Sequence, residues 1–441
     1  MQTLRRLVQH PHPVVRGEAG LLLAQQRDPR DLDELLALAR SGSREARHRG
    51  ILALGISGIA GTEGLLSVRA EDADDETERQ IAAFALGLLP EERTVSALSR
   101  LLQSARGGGH KSHREIVLAL LAGLAHHPNP TRVTPLRELL HDPANKDPEL
   151  LTALIHALAR TPDGLRASDV EQVLDRKEAA ARIGILNLLG SAALRPGEST
   201  WKRVESLATH EADPAQRAAA LEALTRCRRT ASLEQAVRAI RSSHPAEVEA
   251  AANALSRLGG TTMRELLETM ARRARKPLRE AIVAGDRGTP SPEFARELEA
   301  AAADPELPLR LRADAALLAA RQDPTRMTAR LRDLFLETEE ADTAVALARS
   351  LQARNSLGDL VERVRAPGSA NDVRKRLVRL HALLVVRHES AMPIVLAELD
   401  ATTRAPDHMA TVLRVWRKSV LGVPDPMLQG LLPPALHALD P

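Results

Sequence analysis

The sequence predicts an all-α protein, an α-solenoid superhelix of about thirteen stacked antiparallel helix hairpins with an armadillo-type arrangement. Three observations carry this. A marker residue recurs every 31 to 36 positions along the 441-residue chain. Helix caps and apolar stripes recur with it. Aromatic residues are almost absent, with three Phe, two Trp and no Tyr, and no stretch alternates as a half-buried strand does.

The unit is clearest from Asp213 to Ser243. Asp213-Pro214-Ala215-Gln216 is a helix start, with an acid to cap free amides, a proline at the first helical position and a glutamine to reach back. Ala220, Leu221 and Leu224 follow at helical spacing, and Arg228 to Ala231 interrupts them. Ser232 with Gln235 predicts a second capping box, ahead of a stripe at Leu233, Ala236, Val237 and Ile240. The next stretch repeats both helices, with Pro245, Val248, Ala251 and Leu255 for the first and Thr262, Glu265, Leu267 and Met270 for the second. Each hairpin is too small to bury a core alone, so neighbours must stack.

Taken in order, the markers are Arg16, Arg47, Arg79, Arg114, Leu150, Arg182, Arg217, Val248, Arg279, Arg312, Thr343, Arg376 and Thr411. Eight residues beyond the marker the chain is often small, as at Ala24, Gly55, Gly87 and Ala122, which lets a neighbouring backbone come close. Met1 to His10 is expected as a truncated helix, and Gly422 to Pro441, rich in proline and leucine, as a closing cap. The array is expected as one domain over 1–441. Gly285 to Pro292, with two glycines and two prolines, predicts a kink between sub-arrays 1–284 and 293–441.

Val15-Arg16-x-x-Ala19, Arg79-Gln80-Ile81-Ala82-Ala83-Phe84-Ala85-Leu86-Gly87 and Asp142-Pro143 resemble bacterial HEAT repeats, including the variety found in phycobilin-lyase subunits. The resemblance covers nearly the whole chain, although the family's usual Leu-Gly-Asp turn is degraded. It implies a stacked helical array that serves as a scaffold or adaptor. For the lyase variety, it implies an enzyme subunit acting on a tetrapyrrole or a modified protein.

Charge and composition narrow the function classes. Basic and acidic residues number 61 and 58, for a formal charge of +3, and all but seven of the basic residues are arginine. The single cysteine, Cys227, forms no internal disulfide and reads as a small buried filler. No long apolar run predicts a membrane span and no signal peptide is apparent, so a cytoplasmic protein is expected. The acidic stretch Glu71 to Glu78 reads as a turn that places carboxylates at the next helix's N-terminus. It lacks the mid-loop glycine of a calcium site. Gly107-Gly108-Gly109 has neither the preceding strand nor the Gly-Lys-Ser/Thr ending of a phosphate loop.

His110, His113, His126 and His127 lie beside a glycine run or before Pro128, and the pairs His210-Glu211 and His388-Glu389 fall away from the marker. Neither set predicts a metal. Without a nucleophile elbow or a base beside Cys227, no catalytic residue, cofactor or metal is assigned. The marker arginines are expected to form a structural ladder, their stems on the core and their heads bridging units. A non-enzymatic scaffold for a protein partner is therefore the leading expectation, with nucleic-acid backbone binding as the alternative. Residues 371–420 hold nine basic and five acidic residues, and Arg374, Lys375, Arg379, Trp416, Arg417 and Lys418 are its candidate partner-binding residues.

Overall fold

The computed structural model describes residues 2–89, 111–126, 133–142, 145–159, 161, 164–189, 196–229, 231–258, 260–273, 281–283, 286, 288–365, 373–400 and 405–421. The helices, in chain order, begin with α1 (Gln2–Val8), α2 (Pro13–Ala24), α3 (Leu32–Ala39), α4 (Arg44–Ser57), α5 (Glu63–Asp72) and α6 (Glu76–Leu88). They continue with α7 (Lys111–His126), α8 (Val133–His141), α9 (Pro148–Ala159), α10 (Ala167–Asp175), α11 (Ala179–Leu188) and α12 (Glu198–His210). Next come α13 (Pro214–Arg226), α14 (Ala231–Ala239), α15 (Pro245–Leu258), α16 (Gly260–Arg273), α17 (Pro292–Ala303) and α18 (Leu309–Ala319). The last are α19 (Pro324–Glu337), α20 (Ala341–Gln352), α21 (Gly358–Arg365), α22 (Val373–Val385), α23 (Ala391–Asp400) and α24 (Pro406–Leu421). The chain is an all-helical α-solenoid, and no strand occurs among the described residues. Every marker position except Arg279, which lies outside the described residues, falls near the start of a helix. These marker-bearing helices are the A helices, and the helices that follow them are the B helices.

Two compact units emerge, Met1–Gln172 with Met392–Pro441, and Val173–Ala391. In the first, α2, α4, α6, α7 and α9 each pack on the next, and α24 packs on α2. The last described helix thus supplies the neighbour that the first A helix lacks on its open side. In the second unit α11, α13 and α15 stack in sequence, as do α18, α20 and α22. Residues 285–292 fall inside the second unit, where Asp286 is buried and Ser291 donates to Glu268.

An A helix has A neighbours on two sides and B helices on a third, which is why it is apolar or small nearly all round. In α6 every residue from Gln80 to Gly87 is buried. A B helix buries one stripe, as in α3 with Leu35, Leu38 and Ala39. Small residues set the spacing. A Cβ on Gly55 would lie 2.5 Å from Ala85, and one on Gly87 would lie 2.5 Å from the Leu120 carbonyl, while Gly123 abuts Phe84. The small position expected eight residues past the marker is thus a site of backbone contact between units.

Asp213 caps α13 by accepting from the Ala215 amide, and Gln216 donates back to it at 3.1 Å. The expected second cap is displaced. Helix α14 already begins at Ala231, and Ser232 sits inside it, fully buried, donating to the Arg229 carbonyl. A buried hydroxyl satisfied by a nearby carbonyl is the alternative to capping. A helices commonly end on a left-handed residue: Gly58, Arg228 and Arg387 follow α4, α13 and α22 at φ of 58°, 52° and 56°. Schellman bonds close two of these ends, from Arg229 N to Leu224 O at 3.0 Å and from His388 N to Leu383 O at 2.9 Å.

Candidate functional site

Five of the marker arginines, Arg47, Arg114, Arg182, Arg217 and Arg312, form ties between neighbouring hairpins, while Arg16 donates to the His10 and Pro11 carbonyls just before it. Each sits in the first turns of an A helix, so its guanidinium can reach both the preceding loop and the next unit. Arg47 donates to Glu78 at 2.8 Å and to the Ser41 carbonyl at 3.0 Å. Arg217 donates to Glu247 at 3.0 Å and to the carbonyls of Glu211 and Ala212. Arg114 engages Asp147 and Glu149, Arg182 engages Glu211 and Arg312 engages Glu337. The Arg114 and Arg217 guanidiniums are held above their ordinary pKa, chiefly by the hydrogen bonds they donate to Asp147 and Glu247. These bonds lower the Asp147 and Glu247 carboxyls, although burial opposes that shift.

Two charged clusters lie deeper, both in the first unit. Glu18 is 0% exposed on α2 and accepts from Arg49 of α4 at 2.9 Å, from Arg417 of α24 at 3.0 Å and from Arg414 at 3.4 Å. Arg49 is 4% exposed, and its stem lies over Gly17, where a Cβ would collide with it. The second cluster joins α4 to α6. His48 Nε2 is 3.0 Å from Asp75, and one ligand atom each of His48, Asp75 and Glu78 lie within 4.8 Å of one another. That is the only metal-like set among the described residues. Its oxygens already accept from Arg44, Arg47 and Arg69, so a dication would face three guanidiniums and displace existing ion pairs. The residues do not suit a metal. They suit a buried ion-pair joint. Burial lowers the His48 pKa, against the opposing pull of Asp75 and Glu78.

Both clusters were missed in the sequence, although a signal was there. Arg44 and Asp75, Arg47 and Glu78, and Glu18 and Arg49 are each 31 residues apart, one repeat period. Opposite charges one period apart meet when equivalent helices stack.

The candidate binding residues divide between the units. In the second unit Arg374 is 79% exposed on its side chain, and Lys375 is half-buried 3.7 Å from Glu339. Arg379 is buried and donates to the Leu336 carbonyl on α19. In the first unit Trp416 is half-buried, Lys418 is exposed and Arg417 is buried on Glu18. The basic surplus of 371–420 is thus partly consumed inside the fold, since Arg376 also donates to the Val364 carbonyl. Burial of Arg379 and Arg417 removes them from any surface role.

Cys227 is half-buried at the C-cap of α13, and burial pushes its thiol pKa up, away from nucleophilic use. The side chains of His113 and His126, and the whole of residues 106–110, His127 and 422–441, lie outside the described residues. No helix among the described residues is long and apolar enough to cross a membrane.

No family model matches the sequence, and no curated protein matches it. Among solved structures, a crystal structure of a Kap121p mutant aligns at 12% identity and a TM-score of 0.33, over 95% of this chain and 53% of that one. The chain spans about half the length of that protein. An engineered protein aligns at 14% identity and a TM-score of 0.25, over 95% of this chain and 98% of that one.

Proposed function

We propose that this chain is a non-enzymatic scaffold of the bacterial HEAT type that presents an extended solenoid surface to a protein partner. The observation that carries this reading is the outward face of the B helices. Each buries one stripe and leaves a polar face, and Val68, 57% exposed, is the one large apolar side chain exposed among the described residues. Such a surface suits many modest polar contacts better than a few apolar anchors. Charged groups that could do chemistry are instead committed to ties between units. Arg374, Lys375, Trp416 and Lys418 are left as rim contacts within it, and a cytoplasmic setting belongs to the same reading.

The test is capture from native lysate with nuclease present, followed by cross-linking and mapping of the linked residues. Cross-links spread over the B helices of several successive units are expected. Links confined to one hairpin, or recovery that vanishes with nuclease, would overturn the reading.

A further inference from the structure

The joint between α24 and α2 differs from those between α4 and α6 and between α6 and α7. In those two, Gly55, Gly87 and Gly123 let one backbone come close to the next. Helix α24 has no glycine, and the nearest side chains to Gly17 and Gly20 of α2 are Arg49 of α4 and Leu38 of α3. Charged side chains bridge α24 to α2. Arg414 and Arg417 donate to Glu18 at 3.4 and 3.0 Å, and Asp407 lies 3.9 Å from His12, the residue before α2. Beside this joint, Arg6 of α1 donates to Asp400 of α23 at 2.7 Å, with both side chains more than half exposed.

Helices α23 and α24 also hold each other, since His408 lies 2.8 Å from Glu398. They return to the first unit after residues 173–391, which form the second. The boundary falls at Met392, just past the turn that holds Arg387 at φ of 56°. Only through that turn is the α23–α24 hairpin joined to the chain before it. The joint is therefore made by two segments with no short connection between them. Its two faces are different surfaces, an acid on α2 and two arginines about one turn apart on α24, with Met409, Val412 and Leu413 buried near them. Any two copies of the chain match through such faces.

We propose that the α23–α24 hairpin exchanges between copies, docking on α1 and α2 of a second chain while that chain's hairpin docks in return. Exchange replaces every contact of the joint by an identical one. The closed chain and the exchanged pair then differ in the course of the Arg387 turn and in the entropy of association. Reciprocal exchange closes at two chains. Parting the joint breaks ion pairs rather than a close backbone approach, and salt screens exposed pairs such as Arg6 with Asp400. A second copy is the fitting occupant because it carries the arginine spacing that Glu18 already accepts.

The test uses two variants of the full chain, R6D and D400R. Both positions are more than half exposed, so each variant is expected to keep wild-type helicity by circular dichroism. Alone, each sets like charges against each other beside the joint, whether closed or exchanged. In an exchanged mixed pair, one joint carries both substitutions and regains opposite charges, and the other joint is wild type. The variants, separately and as an equal mixture, are unfolded in denaturant, refolded at low salt and matched total concentration, and weighed by light scattering. The mixture should dimerise about tenfold more tightly than either variant alone, and high salt should erase the difference. Wild type refolded at rising concentration should also give dimers. A mixture that dimerises no more than the separate variants, or wild type that stays monomeric at every concentration, would overturn the proposal.

Discussion

At the N-terminal ends of the second unit's A helices, Arg182, Arg217 and Arg312 each meet a carboxylate. At the C-terminal ends of the same row, Arg228, Arg257 and Arg387 meet solvent. Residue type, helix and burial of the flanking core are alike at the two edges. What differs is the backbone. An N-terminal end presents free amides and draws acids, so an arginine placed there finds the next unit's carboxylate. A C-terminal end presents carbonyls, which stabilise a cation without neutralising it. The N-terminal ends are therefore tied by ion pairs, while the C-terminal ends are tied through carbonyls, as Arg226 and Arg354 are, and leave Arg228, Arg257 and Arg387 exposed.

The most severe way to probe a tie is to empty the one that is wholly buried. Replacing Glu18 with Ala leaves Arg49 and Arg417 without their shared carboxylate in a closed site. A loss of about 3–5 kcal/mol is expected from removing one partner of a buried pair. Denaturant unfolding followed by circular dichroism measures it, and a loss under about 1 kcal/mol would mean that the cluster is solvated.

The edge comparison itself is broken or kept by two single variants. Arg217→Met should cost about 1–2 kcal/mol, because it takes the guanidinium from the buried Glu247 and from two loop carbonyls. Arg228→Gln at the other edge should stay within about 0.5 kcal/mol of wild type. Equal costs in thermal melts would mean that the two edges do the same job.

The joint around His48 adds a pH signature. Burial depresses its folded pKa, so the unfolded chain takes up the proton first. Stability from this group is present above the unfolded value, about 6.5, and is lost as pH falls through it toward the folded value. The loss approaches about 1.4 kcal/mol per pH unit at most. Unfolding at pH 8 and pH 5.5 should therefore show a larger drop in wild type than in His48→Gln. Parallel drops would remove His48 from the account.

A modest gain is expected at the left-handed turns. Arg228 and Arg387 adopt positive φ, where a Cβ costs about 1–2 kcal/mol and glycine costs nothing sterically. The looser unfolded chain offsets part of that gain. Arg387→Gly should raise stability by up to about 1 kcal/mol, with the Schellman bond of His388 kept. A melting temperature below wild type would show that the arginine does more than fill the turn.

Much of this was legible in the residues. Asp213, Pro214 and Gln216 announce a helix start because capping is a local matter, settled within four residues. Gly55 and Gly87 announce a close approach because nothing larger fits against a neighbouring backbone. Ser232 misled, because a serine ahead of an apolar stripe looks the same whether it caps a helix or lies buried inside one. The candidate cluster at 371–420 divides into buried and exposed heads for a related reason. Linear charge density does not say which heads point inward, and Arg376 and Arg379 spend theirs on the carbonyls of Val364 and Leu336.

The sequence by itself determined the repeat, the helix starts and the small positions between units, since each depends on spacing within one period. Pairs one period apart, such as Arg47 with Glu78, were also within its reach once stacking is assumed. The meeting of α24 with α2 was not. Glu18 and Arg417 are 399 positions apart, and no periodicity relates them. Only the packing of the first unit brings the last described helix onto the open side of the first A helix. There, one buried carboxylate makes burial of the arginines tolerable. Which arginines are structural and which stay charged was likewise decided by that packing, because burial and partner choice belong to the assembled helices.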